Sequence, residues 1–178
     1  MNELVPMLET TRLRLRGWEL EDFEPLADFL ADDDANRYRG GGVGADEAWT
    51  KLESLTASWF LRGYGVFAVD ELESEDLVGW AGLWQPLSLQ SPELCWSIFP
   101  AHAGKGYAVE AAAAALVWWT QMEGQEAPFS YTHPDNKASQ RVAEKLGAER
   151  GENCLFEGRP SYLYHHKVPD EAHWERRS

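Results

Sequence analysis

The chain has 178 residues, 44% apolar and 12% aromatic, enough for one domain with a sizeable core. Its 30 acidic residues outnumber 16 basic ones, and the net charge of −14 excludes nucleic acid as a natural partner while suiting a cationic one. No apolar run approaches the ~18 residues needed to cross a bilayer, and Cys95 and Cys154 lie in no CxxC or His/Cys cluster, which excludes a disulfide framework and a zinc-site spacing.

The opening Met1 to Thr11 carries acids where a secretory leader needs a basic patch and an apolar stretch, so a cytoplasmic protein without a membrane partner is expected. From Thr11 to Trp18, Arg12, Arg14 and Arg16 alternate with Leu13, Leu15 and Gly17, the period of a strand with one wet face. Glu19 to Asp32 places Phe23, Leu26, Ala27 and Leu30 at helical spacing. The glycine run Gly40 to Gly44 predicts a mobile or ligand-gated loop, and Ala45 to Leu61 resumes a helix through Ala48, Leu52, Leu55 and Trp59. Tyr64–Val69 and Leu77–Trp84 read as an antiparallel hairpin, with a third strand at Glu93–Phe99. There follow an alanine-rich helix from Tyr107 to about Met122, a strand Pro128–Thr132, a helix Lys137–Leu146, and strands near Glu149–Phe156 and Ser161–Val168. This order implies one domain over 1–178 with a mixed sheet and helices on its faces, a core at about 8–168 and a polar tail at 169–178. Both thiols are expected to be buried and reduced.

Between Phe99 and Tyr107 a strand, a glycine turn and a helix start follow one another, and that arrangement makes an anion cradle. The first N–H groups of a helix have no intrahelical partner and carry the positive end of its dipole, while Gly104 and Gly106 remove side chains that would hold a phosphate off the backbone. The small residues Ala108, Ala111, Ala112 and Ala115 let the helix lie close to the sheet. A P-loop would need GxxxxGK followed by Ser or Thr, and a dinucleotide fingerprint would need glycine where Val109 stands.

Gly104 to Ala111, Gly-Lys-Gly-Tyr-Ala-Val-Glu-Ala, together with Thr132 to Gly147, Thr-His-Pro-Asp-Asn-Lys-Ala-Ser-Gln-Arg-Val-Ala-Glu-Lys-Leu-Gly, closely resembles the GNAT superfamily of N-acetyltransferases, in its RimJ/RimL-like branch. The resemblance runs from about Leu8 to Val168. It implies an α/β (α+β) fold with a mixed, mostly antiparallel central sheet, splayed middle strands and helices on both faces. It also implies transfer of acetyl from acetyl-CoA to a primary amine, on a protein N-terminus or a cationic small molecule, without a metal, by a monomer or homodimer. The family's Arg/Gln-x-x-Gly-x-Gly/Ala pattern falls on Ala103, Gly104, Lys105, Gly106, Tyr107 and Ala108, with Ala103 in place of the Arg or Gln. The splayed strands would be Glu93–Phe99 and Pro128–Thr132. Main chain of Trp96, Ile98 and Phe99 would then pair with the pantetheine arm and polarise the acetyl carbonyl.

The resemblance also bears on Asn136 and Ser139. Asn136 is placed to cap the helix that follows it, and the matching family position implies a bond to pantetheine. Ser139 shares the stripe of Val142, Ala143 and Leu146 and faces inward, either as a capping hydroxyl or, as the resemblance implies, as the general acid for the departing thiolate. Glu93, at the start of a splayed strand, is the positional candidate for the base that deprotonates the amine, against the alternatives of a water chain or an exposed strand-end carboxylate. His165 and His166, adjacent in a strand, point to opposite faces and cannot share one metal. A non-catalytic acyl-CoA sensor would keep the glycine turn but not need Ser139.

Overall fold

The computed structural model describes residues 4–167; the polar tail, Val168 and the first three residues lie outside the described residues. The chain opens with β1 (Leu8–Glu9) and β2 (Leu13–Arg16), a 3-10 turn Leu20–Asp22, α1 (Phe23–Ala31), a short α2 (Asp33–Asn36) and α3 (Ala45–Arg62). Then come β3 (Val66–Glu71), β4 (Leu77–Trp84), β5 (Glu93–Ile98), a 3-10 turn Pro100–His102 and α4 (Tyr107–Gln121). The chain closes with β6 (Phe129–Thr132), α5 (Lys137–Lys145), β7 (Glu149–Phe156) and β8 (Arg159–His165). Eight strands form one sheet in the order β1-β2-β3-β4-β5-β6-β8-β7, antiparallel at every pairing except the parallel β5–β6 contact.

Both faces of the sheet centre are covered, so β3 is a continuous buried run rather than an alternating one. Phe67 and Val69 point to the side packed by Ala111, Ala112, Ala115 and Leu116 of α4. Val66 and Ala68 point to the other, among Leu26 and Phe29 of α1 and Leu52 and Leu55 of α3. Ala111, Ala112 and Ala115 are fully buried, as their small size at helical spacing implied, whereas Ala108 in the first turn is only half-buried. At the β2–β3 seam, Arg16 is clamped between Asp22, at 2.8 Å, and Asp70, at 2.6 and 2.9 Å.

Three expectations change. The helix expected over Glu19–Asp32 begins with a 3-10 turn, because the Asp22 carboxylate takes the N–H of Glu19 and closes a capping box there. Gly40 to Gly44 is tied down: Gly41 N–H reaches the Asn36 carbonyl at 3.0 Å, Gly42 N–H the Asp33 carboxylate at 2.8 Å and Val43 N–H the Leu30 carbonyl at 2.9 Å. Cys154 is only half-buried, and Cys95 is half-exposed as a residue although its thiol itself is desolvated. Among the described residues no helix is long and apolar enough to cross a membrane.

Candidate active site

β5 and β6 are in register only at Glu93 and Phe129 and then part. In an antiparallel pair, successive residues direct their main-chain groups alternately to one neighbour and to the other. Phe99 N–H donates to the Val78 carbonyl of the strand-side neighbour at 2.8 Å, so Cys95, Ser97 and Phe99 serve β4. Leu94, Trp96 and Ile98 therefore face the gap. The Leu94 carbonyl accepts from Ser130 Oγ at 2.5 Å, and the Trp96 carbonyl from Arg39 Nη2 at 3.3 Å. Phe99 is thus a correction: its N–H is spent on β4, its carbonyl accepts from His102 N–H at 2.9 Å, and its ring stacks on Phe29 with centroids 4.8 Å apart.

Beyond β5 the glycine turn is exposed, and among the described residues no protein acceptor takes the N–H groups of Gly104, Lys105, Gly106, Tyr107 or Ala108. Gly104 (φ 81°) and Gly106 (φ 87°) are left-handed, which favours glycine on backbone grounds and turns the successive amides outward. Ala103 is also a correction: its N–H goes to Pro100 at 3.2 Å and its methyl offers no donor. Tyr107 contributes only its amide, since its side chain is buried with the hydroxyl donating to Glu71. Lys105 Nζ also reaches Glu71, at 3.5 Å. The turn is braced from behind by Arg12, whose Nη1 donates to the Lys105 carbonyl at 2.9 Å while Nε holds Glu110 at 2.8 Å. Glu110 is therefore more than a helix-dipole partner.

A cleft of about 430 Å³ opens at the splay and brings together Glu93, Trp96, Asn136 and Ser139. Ile98 and the glycine turn do not line it. Asn136 caps α5, its Oδ1 accepting Ser139 N–H at 3.1 Å, which leaves its amide NH₂ free toward the cleft. Ser139 is half-buried, and among the described residues its hydroxyl has no hydrogen-bond partner. Glu93 is not an exposed strand-end carboxylate but is 7% exposed, with Tyr131 N–H at 3.4 Å as its hydrogen-bond donor. Burial pushes its carboxyl up to about 8, against the pull of the Tyr131 N–H and of Arg39 and Lys51. Burial likewise pushes the Cys95 thiol up to about 12, so it is no nucleophile. His166 is buried, with Nε2 at 2.8 Å from Ser130 Oγ, while His165 is exposed, so the two do face opposite ways.

Sequence reading missed Arg39 and Lys51, which line the same cleft. Lys51 carried a signal: it falls three residues after Ala48, on the side of α3 that holds Ala48, Leu52 and Leu55. Arg39 stands directly before the glycine run, in a turn whose spacing gives no sign of which way its side chain faces.

Comparisons with known proteins agree with this geometry. A family model described as an acetyltransferase (GNAT) domain matches residues 12–149. The Bacillus subtilis protein YnaD, an uncharacterised N-acetyltransferase, is 24% identical over 170 residues, covering 94% of this chain and 98% of its own. An acetyltransferase structure from Agrobacterium tumefaciens superposes with a TM-score of 0.83 at 28% identity, covering 91% and 94% of the two chains. RimL, a ribosomal L7/L12 alpha-N-protein acetyltransferase solved in complex with coenzyme A, superposes with a TM-score of 0.74 at 13% identity, covering 92% and 98%, a likeness of fold alone.

Proposed function

The chain belongs to the GNAT acetyltransferase family, and from that premise we propose that it moves acetyl from acetyl-CoA directly onto a primary amine in a ternary complex. The observation that carries the reading is that Glu93, with a pKa near 8, and Ser139, with an unengaged hydroxyl, line one cleft at the strand splay. The acyl donor fits the residues present. Five unclaimed amides from Gly104 to Ala108 suit its diphosphate, and the gap-facing main chain of Trp96 and Ile98, with the Asn136 amide, suits its pantetheine arm. Bound there, it supplies a thioester-activated acetyl group.

Glu93 acts as base. A carboxylate near its usual 4.5 is far too acidic to hold a proton taken from an ammonium, whereas one near 8 matches an α-ammonium at about 7.7 to 8.0. Trp96 N–H, fixed in the strand before charge develops, stabilises the oxyanion. Ser139 Oγ–H protonates the departing sulfur. The α-amine of a protein, as for the ribosomal L7/L12 alpha-N-protein acetyltransferase RimL, and that of a small molecule both suit this arrangement.

Thiol release measured with a panel of amines tests the reading. Ser139→Ala is expected to lower kcat by about 10²-fold, the low end for general acids, because a thiolate is already a fair leaving group. Acetyl-CoA binding without turnover of any amine would leave a non-catalytic acyl-CoA sensor instead. Arg12→Ala frees the Lys105 carbonyl and loosens the glycine turn, and is expected to raise the Kd for acetyl-CoA about fivefold with little change in kcat, measured by titration calorimetry.

A further inference from the structure

The cleft holds two cations, Arg39 and Lys51, that among the described residues no carboxylate reaches at ion-pair distance, although Glu47, Glu93 and Glu157 line it too. Arg39 donates to the Trp96 carbonyl at 3.3 Å and lies 5.5 Å from the centre of the Trp80 ring. Lys51 Nζ lies 4.2 Å from the centre of the Trp84 ring. Among the described residues neither is in an ion pair, whereas Arg159 on the same cleft pairs with Glu157 at 3.4 Å. Arg39 is open to the cleft yet crowded enough that desolvation lowers its pKa, as it does that of Lys51. Glu93 acts on both charges and Glu157 on Lys51, but Glu157 is already paired with Arg159, and the Glu93 carboxyl, with a pKa of about 8, is mostly neutral at pH 7 and does not balance them. Aromatic faces hold the cations in place without neutralising them.

The donor's phosphates are not the missing anion, because the glycine turn does not line this cleft. Resting on the acetyl-transfer reading above, we propose that the acceptor is an amino-carboxylate, such as a free α-amino acid, whose carboxylate is held by Arg39 and Lys51 while its amine meets Glu93. A planar guanidinium matches a carboxylate in bidentate fashion, and Lys51 adds a point charge. The amine forms the C–N bond and the thioester C–S bond breaks; of the two protons the ammonium loses, one leaves through Glu93 to solvent and the other offsets the proton that Ser139 gives the sulfur, which departs as coenzyme A thiol. The product is an N-acetyl amino acid.

The test compares leucine and phenylalanine with leucinamide, phenylalaninamide and an Ala-Leu-Phe peptide as acceptors, with thiol release as the readout. The free acids are expected to exceed their carboxamides in kcat/KM by about 10- to 100-fold, the worth of a charge-assisted contact. Reactivity alone favours the carboxamides, whose amines are less basic. In Arg39→Gln and Lys51→Met the ratio is expected to fall toward 1, with circular dichroism confirming that both variants are folded. A ratio near 1 in the wild type, a ratio that survives both substitutions, or preference for the peptide overturns the proposal. So does an equal fall on acids and amides, which would mean that the cations serve Glu93 alone. If no amine turns over, the acetyl-transfer reading fails by itself; thermal shift by leucine against leucinamide, in wild type and Arg39→Gln, still decides whether the carboxylate site exists.

Discussion

Replacing Glu93 by Gln is expected to lower kcat by about 10²- to 10⁴-fold, the range for loss of a positioned general base, while the Kd for acetyl-CoA stays unchanged. The substitution keeps the shape of the side chain, and a Gln carbonyl can still accept the Tyr131 N–H, so the cleft should not collapse. In the wild type, kcat/KM should rise with pH and level near 8, where Glu93 becomes ionised, and the variant should lack that limb. Stability moves the opposite way. The folded pKa of about 8 lies above the ordinary 4.5, so the contribution of Glu93 to stability is full below pH 4.5 and is lost as pH rises through 8. A Gln never ionises, and the variant should therefore melt at or above the wild-type temperature at pH 9. A loss of kcat smaller than fivefold, with the pH limb intact, would hand the proton to ordered water instead.

How far this site can be read from the sequence depends on whether a feature is local. The glycine turn is local: strand, two glycines and helix start are neighbours, and their amides remain unclaimed as the pattern implied. Asn136 as helix cap is local for the same reason. Leu77–Trp84 was bounded correctly because turn residues punctuate both ends. Phe99 failed because which main-chain groups face a gap is decided by pairing with Val78, twenty-one residues away in the chain and invisible to spacing. Glu93 carried no local sign of burial either; its environment is built by Tyr131, Arg39 and Lys51 from three other elements. The glycine run at Gly40 to Gly44 suggested freedom, but carbonyls and a carboxylate of the preceding helices take its N–H groups. The acidic net charge describes the surface as a whole and says nothing of the cleft, where Arg39 and Lys51 form no ion pair among the described residues.

The second large effect concerns Arg16, and Arg16→Met is expected to destabilise the fold by about 3 to 5 kcal/mol, the usual result of removing one partner from a buried ion pair. Asp22 and Asp70 are 4% and 6% exposed, and the guanidinium is what neutralises both. Burial already raises the Asp70 carboxyl against the opposing pull of Arg16, so losing the arginine lets it rise further. A raised carboxyl stabilises the folded state most at low pH and progressively less as pH climbs through its folded value. The variant should accordingly recover stability between pH 7 and 5. For a chain of this length the deficit at pH 7 corresponds to a fall in melting temperature of roughly 10 °C, read by calorimetry. Adding Asp22→Asn and Asp70→Asn should restore part of it by removing the stranded charges. β3 also carries Glu71, and Arg12 stands directly before β2; the two hold the glycine turn, so the seam has two separable tasks. Arg12 faces the turn and should change donor affinity alone, whereas Arg16 faces the interior and should change stability alone. A shift below about 2 °C for Arg16→Met would show the clamp to be energetically idle.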